Sequence, residues 1–384
     1  MAEARGGGAP PSRPPGLHAV VGHEELQARL SRSVERGRLP SSLLLHGPVG
    51  VGKQRLALWL GQRLLCEEGS ACGRCRGCRL ALRLEHPDLH WFFPLPRPGG
   101  ASTPSRLREK LEEARLEELE ERRAHPLAVR DFDGATGLYL AAVQQMKAMA
   151  SRRPAMGKRT VFVVGDSESM VPQASSPEAA NAFLKLLEEP PEDAFILLTS
   201  SRPGALLPTI RSRTLGLRVL PVPTGAIERL LVEVAGVDAD RAASLARRSQ
   251  GSPGRALRAL SEESGAARGR AEDLVRAALS RDRVDRWSFA ASLPPSGARG
   301  EFDEVLASAT ELLRDLLTAS LGRPELGFDP GAAAALAGKA PPAHALLRAI
   351  ALVEEAREEA AGNLNPQAIT AGLLVDLGSA LQSP

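Results

Sequence analysis

Four cysteines fall within thirteen residues, Cys66, Cys72, Cys75 and Cys78, in the order C-x5-C-x2-C-x2-C. Tetrahedral zinc takes four thiolates at about 2.3 Å, and two-residue spacers let a tight turn aim successive sulfurs inward. Gly73, Arg74, Arg76 and Gly77 supply the flexible turns and positive charge that such a site needs. A disulfide framework is the alternative, but residues 1–16 hold Gly and Pro runs with no apolar leader, so a reducing compartment is expected. Four protein ligands leave no open position, so the expected zinc is structural rather than catalytic.

A second group of residues has phosphate chemistry. Gly47-Pro48-Val49-Gly50-Val51-Gly52-Lys53-Gln54 fits the G-x4-G-K pattern of a P-loop. Gly47, Gly50 and Gly52 let backbone N–H groups face phosphate oxygens, and Lys53 can reach the β/γ-phosphates. The next position calls for a Ser or Thr hydroxyl to hold magnesium, and it is Gln54. A second magnesium-holding Asp, followed by a Glu, belongs at the end of an apolar strand. Here Val161-Phe162-Val163-Val164 runs into Gly165-Asp166, so glycine stands at the first position and a shorter carboxylate at the second. This reads as a nucleotide loop without a competent hydrolytic centre, at which ATP can bind without being hydrolysed.

The surrounding elements are those that position such a loop. Ser42–His46 reads as a buried strand entering the glycine turn, and Lys53–Leu65 as the helix leaving it. A helix fits His23–Arg36, with Leu26, Leu30 and Val34 on one face. Residues 86–92 read as a second strand. Tyr139–Arg152 is helical in period, Thr160–Val164 a strand, and Ser176–Glu189 a helix capped by Ser176 with Pro177 at its first turn. Ala194–Thr199 is a further buried strand, and Gly216–Leu220 one more. Short apolar strands alternating with helices imply a parallel sheet covered on both faces. Residues 95–136 interrupt this pattern. Within them, thirteen of the eighteen residues Arg106–Arg123 are charged, with a thin stripe of Leu107, Leu111 and Leu119. That composition reads as a solvated inserted helix, or as one that docks a partner.

Beyond Pro221–Pro223 the strand pattern stops and helices broken by Gly and Pro continue to the end. The expected organisation is a disordered tail at 1–16 and a P-loop domain at 17–221, with the zinc module at 66–78 and the insertion at 95–136. A helical lid follows at 222–275, then a C-terminal helical domain at 276–384. Formal net charge is +3 from 49 basic and 46 acidic residues, too balanced for a chain that binds nucleic acid over its whole surface. Aromatics make up 3%, which argues against base-stacking platforms. Apolar runs fall short of the roughly 18 residues that span a bilayer, so a cytoplasmic chain without membrane contact is expected.

The stretch Glu178-Ala179-Ala180-Asn181-Ala182-Phe183-Leu184-Lys185-Leu186-Leu187-Glu188-Glu189-Pro190-Pro191 resembles the signature helix of bacterial clamp-loader AAA+ subunits. So do Phe195–Ser200 and Leu207-Pro208-Thr209-Ile210-Arg211-Ser212-Arg213-Thr214, and, more weakly, Asn363-Leu364-Asn365-Pro366. With the P-loop and the cysteines, the resemblance covers about 20–260. It implies an AAA+ P-loop domain, a helical lid and a C-terminal oligomerisation collar. It also implies a place in the clamp loader of the replicative DNA polymerase III holoenzyme, at the nucleoid-associated replisome. The implied partners are the gamma/tau motor subunit, the clamp-opening delta subunit, the sliding clamp and, through the complex, primed DNA.

Residue by residue, Ser212-Arg213-Thr214 falls where the family has Ser-Arg-Cys, so the resemblance makes Arg213 an arginine finger acting in trans on a neighbour's ATP. Arg211 shares its face if the segment is extended, and a surface salt bridge is the simpler reading of either arginine. Thr199 falls at the sensor-1 position. Gly251-Ser252-Pro253-Gly254-Arg255 matches the sensor-2 motif, which aims Arg255 at a phosphate or leaves it holding the lid. The damaged metal positions set the chain apart from the family's motor branch. Two other readings stay open, an active motor ATPase and a zinc-dependent DNA-binding module.

Overall fold

A computed structural model describes residues 20–100, 103–130, 132, 136–170, 178–260, 262–280, 282–293, 299–324, 327, 341–360 and 365–382. The tail expected at 1–16, the cap expected at Ser176 and Pro177, and Asn363-Leu364 lie outside the described residues. Strand β1 (Ser42–His46) pairs in parallel with β6 (Ala194–Ser200) on one side and β7 (Leu215–Arg218) on the other. Strand β5 (Thr160–Val164) extends the sheet beyond β6, and β2 (Leu89–Phe92) forms the far edge, giving the order β2-β5-β6-β1-β7. Side chains alternate along β1 as the pleat requires. Leu43 and Leu45 pack toward α1 (Glu24–Glu35) and α2 (Lys53–Leu65), while Leu44 packs with Met146 of α5 (Leu140–Ala150) and Phe183 of α6 (Glu178–Glu188). Both faces are therefore covered, which is why these strands are apolar throughout rather than alternating.

The expected strand at 86–92 begins only at Leu89, because Asp88 turns inward to hold a neighbouring loop. Its carboxylate accepts the N–H groups of Ala155, Met156 and Gly157 at 2.5, 2.8 and 3.1 Å. The cysteine segment carries a short helix, α3 (Arg76–Leu82), that the sequence reading did not anticipate. The insertion opens and closes on a small antiparallel ladder, with β3 (Leu95–Pro96) paired to β4 (Thr136–Gly137). Between them runs α4 (Pro104–Ala124), capped by Thr103, whose Oγ1 accepts the Arg106 N–H at 3.3 Å. This helix is more embedded than its composition suggested. Leu111, Arg115, Glu118 and Leu119 are buried, and its leucines join the core that contains Trp91 and Phe93 of the sheet edge.

After the sheet, α7 (Pro208–Ser212) precedes β7. Helices α8 (Thr224–Glu233), α9 (Ala239–Arg248) and α10 (Pro253–Arg258) then pack around Ile227, Leu231, Ala242 and Ala246 as a separate small core. A third core joins α11 (Glu262–Leu279), α12 (Arg283–Ser292), α13 (Arg299–Ser320), α14 (Ala343–Ala360) and α15 (Pro366–Gln382). No helix among the described residues is long and apolar enough to cross a membrane.

Candidate functional site: the glycine-loop cradle, the cysteine cluster and Arg213

The glycine loop leaves the C-terminal end of β1, where parallel sheets place their ligand sites. Gly50 has φ +76°, and a Cβ there would lie 2.3 Å from Ser252 Oγ at the start of α10. Glycine is needed on both counts, for backbone conformation and for close approach. The small helical cluster docks through that gap. The Gly254 N–H donates to Gly50 O at 2.9 Å, and Ser252 Oγ donates to Val49 O at 3.0 Å. Lys53, buried at 5% exposure, donates to Gly47 O, Pro48 O and Ser201 Oγ at 2.9, 2.7 and 3.0 Å. Burial pulls its ammonium pKa down, and the charges of Asp166 and Glu168 oppose that.

The two departures from the metal-holding pattern turn out to be spatial partners. Gln54 Nε2 donates to Asp166 Oδ2 at 2.9 Å. A Cβ on Gly165 would fall 2.7–2.9 Å from the three polar-end atoms of the same carboxamide. The larger side chain on the helix fills the notch that the glycine leaves on the strand. Asp166 itself has φ +43°, a conformation uncommon for a residue with a side chain, and its N–H is held by Thr199 Oγ1 at 3.1 Å. Burial, with Glu168 adding, pushes the Asp166 carboxyl up, while Lys53 and Arg122 pull it down.

Thr199 is fully buried and its hydroxyl is committed to that turn, so it supports the cradle from behind. The residue that meets Lys53 is Ser201, which sequence reasoning did not single out. Of the two places expected for Arg255, the one facing a phosphate is not where it lies, since it does not line the cavity. Its guanidinium donates to Gln250 Oε1 at 3.1 Å, and its charge acts on Glu311 of α13. At this helix the cavity is lined instead by Pro253, Gly254, Leu257 and Arg258.

The cavity in front of the loop has a volume of about 410 Å³. Val20, Val21, Leu230 and Leu257 give it an apolar side, and residues His125–Arg130 of the insertion form a further wall. Arg55 of α2 donates to Pro126 O, which ties that wall to the helix. Arg122 stacks on Trp91 and Phe93 at 4.6 and 4.1 Å from the ring centroids and donates to Glu118 Oε1 at 2.8 Å. Arg130 reaches the other oxygen of Glu118 at 3.2 Å. Nothing in a run of alternating Glu and Arg distinguishes these inward residues from the solvated ones; the aromatic edge strand sorts them.

The four cysteine sulfurs lie within 4.8 Å of one another. Cys66 to Cys72 is 3.7 Å, and Cys72 to Cys78 and Cys75 to Cys66 are each 4.0 Å. A tetrahedron with bonds near 2.3 Å has edges of about 3.8 Å, so the cluster can hold a metal ion such as zinc. Backbone N–H groups of Cys75 and Cys78 point at the sulfurs of Cys72 and Cys75, at 3.4 and 3.3 Å. Burial pushes the Cys78 thiol up to about 12. At Cys66 burial pushes the same way, but N–H groups of Cys72, Ser70 and Glu68 and the Cys78 side chain bring it down to about 6. All four are free thiols rather than disulfides.

Arg213 lies at the surface, its side chain 36% exposed, in an ion pair with Glu188 at 2.8 Å. Its Nη1 also donates to Thr209 O at 3.2 Å. Arg211 sits within α7, not on an extended segment, and residues two apart on a helical turn face different ways. The shared face expected for the two arginines is therefore absent.

The DNA polymerase III delta-subunit family model matches residues 22–223. A DNA polymerase III subunit delta' from Pseudomonas aeruginosa is 32% identical over 203 residues, 52% of this chain and 49% of that protein. One from Bacillus subtilis is 31% identical over 215 residues, 54% of this chain and 52% of that protein. A gamma/tau subunit from Mycobacterium bovis is 29% identical over 233 residues, 60% of this chain and 33% of that protein. The chain thus spans about half the length of the delta' relatives it matches.

Proposed function

This chain belongs to the DNA polymerase III delta-subunit family, and we propose that within it the chain is a delta'-type clamp-loader subunit that does not hydrolyse ATP. In this reading it sits beside gamma/tau motor subunits and a clamp-opening delta subunit in a hetero-oligomeric ring of the cytoplasmic replisome. The ring loads a sliding clamp onto primed DNA, and this chain presents Arg213 to a neighbour's ATP. The observation that carries the reading is the interlock of Gln54 with Gly165 and Asp166. Hydrolysis needs a hydroxyl and a carboxylate converging on magnesium. Here a carboxamide fills that place, and the remaining carboxylate is spent on the carboxamide's N–H. The exposure of Arg213 supports the trans role, while its ion pair with Glu188 is the surface salt bridge of the simpler reading and has to open before the guanidinium can reach a neighbour's phosphate.

The cysteine cluster is read as a structural zinc site, because four sulfurs complete a tetrahedron and leave no position for water. The competing reading, an active gamma/tau-type motor, is favoured by the intact glycines and Lys53 and by the gamma/tau relatives. ATPase assays decide between them. The isolated chain should show no turnover above buffer. The complex reconstituted with motor and delta subunits should hydrolyse ATP when clamp and primed DNA are added. Turnover by the isolated chain at a rate like that of the motor subunit would overturn the proposal.

A further inference from the structure

The P-loop family implies magnesium beside the nucleotide, and the residues present do not fit it. Magnesium demands near-octahedral oxygen ligation at about 2.0–2.1 Å. Of the two side chains at the metal positions, Gly165 offers nothing and Gln54 offers one amide oxygen. That oxygen, Oε1, is packed against Gly165, buried and without a hydrogen-bond partner among the described residues. The nearest carboxylate, Asp166, already accepts the Gln54 N–H. The cradle nonetheless keeps what a phosphate needs. Five basic side chains, Lys53, Arg55, Arg122, Arg130 and Arg258, line the cavity against one carboxylate, Asp166. Arg122 and Arg130 are anchored from behind by Glu118, which is not part of the lining.

We infer that this cavity binds a nucleoside diphosphate or triphosphate without a divalent cation, the lining arginines and Lys53 compensating the phosphate charge. Three features argue for it. The three donors of Lys53 rest on neutral oxygens, two carbonyls and a hydroxyl, and an anionic phosphate oxygen makes the stronger, charge-assisted bond. Among the described residues no carboxylate is within ion-pair distance of Lys53, though Asp166 and Glu168 act on it from further off. Next to the phosphate end lies an apolar side of Val20, Val21, Leu230 and Leu257, suited to a nucleobase. Finally, the arginines contributed by the insertion, Arg122 and Arg130, lie in a segment that the P-loop pattern does not contain. Glu118 pairs with both of them and Glu121 with Arg130, so the insertion brings guanidinium donors, rather than net charge, to the cradle at which the ion's own ligands are missing.

The test is calorimetric titration of the full chain with ADP, which has no γ-phosphate to lose. One arm uses excess MgCl₂. The other uses buffer passed over chelating resin with no soluble chelator, so that a metal at the cysteines stays in place. The expected result is a Kd that agrees between the arms within about threefold, and a loss of about tenfold or more in Lys53→Ala. ADP should also bind more tightly than inorganic triphosphate or adenosine. In the double variant Gln54→Thr/Gly165→Asp, magnesium should tighten ADP binding by about tenfold or more. Should that variant fail to fold, the wild-type arms alone decide. Wild-type affinity that falls about tenfold without magnesium, no ADP binding at millimolar concentration in either arm, or inorganic triphosphate binding as tightly as ADP would each overturn the inference. ATP turnover by the isolated chain bears on the non-hydrolysing reading instead, so the two can fail separately.

Discussion

A guanidinium that serves a neighbouring molecule has to sit on the surface and yet not wander. Glu188 closes α6, at the carbonyl end of the helix, where a negative charge is unfavourable. Arg213 lies across from it and offsets that charge while being held in place. In the reconstituted complex, Arg213→Ala should leave assembly intact and lower clamp-dependent ATPase and clamp loading. Arginine fingers contribute roughly three to five orders of magnitude at their own site, so losing one among several motor sites should give a partial fall in total rate. Arg213→Lys should rescue incompletely, because an ammonium lacks the planar fork. Arg211→Ala, inside α7 and facing elsewhere than Arg213 just beyond its end, should behave as wild type; if it alone reproduces the defect, the wrong arginine has been assigned. Asp166 offers a second readout. Its carboxyl is raised above the ordinary 3.8, so its stabilising contribution is present below that value and is lost as pH rises through the raised one. The melting temperature of Asp166→Asn relative to wild type should therefore climb as pH rises from about 4 through the raised value. A gap that narrows over that range would show that Lys53 and Arg122 outweigh burial.

Among the elements, the strands that carry the glycine loop were legible because β1, β5 and β6 are short apolar runs next to turn residues. That the four cysteines would gather at one point was legible from spacing alone. Its helix α3 was not, since Cys75 caps it and Gly77 sits in its first turn, both poor helix signals. Gly77 is there for space, as a Cβ would lie 2.6 Å from Leu65 O. That contact joins the cysteine module to the end of α2, which predicts how the module fails. Purified protein should carry about one zinc per chain. Cys75→Ser should make the P-loop domain protease-sensitive while the C-terminal bundle, with its own core, stays resistant. Equal resistance of wild type and variant would count against a structural metal. The inward face of α4 escaped the sequence for another reason. Arg115 and Arg122 look like any solvated arginines until Phe92 is placed beneath the first and Trp91 and Phe93 beneath the second.

On the scale of the whole molecule, the described chain holds three kinds of core: a sheet covered on both faces, a small three-helix cluster and a five-helix bundle. The change of pattern near Pro221–Pro223 was visible because strand periodicity ends there. How the small cluster meets the glycine loop was not, because Gly50 and Gly254 meet across some two hundred residues through backbone alone. The ladder between β3 and β4 bears on the chain's history. Leu95 lies opposite Gly137 and Pro96 opposite Thr136, so the insertion leaves and re-enters the domain at neighbouring points. A two-residue turn such as Asn-Gly can bridge such an antiparallel pair. Replacing 97–135 by that turn should yield a folded, metal-binding chain, less stable by about 2 kcal/mol or more for each of the lost Leu111 and Leu119 burials. Failure of the shortened chain to fold would mean that the cover over Trp91 and Phe93 is indispensable. Segments joined in this way behave as grafts: they can be acquired, lengthened or shed in one genetic event without shifting the register of any sheet strand. Lineages of this family are therefore expected to differ most in length between Pro96 and Thr136.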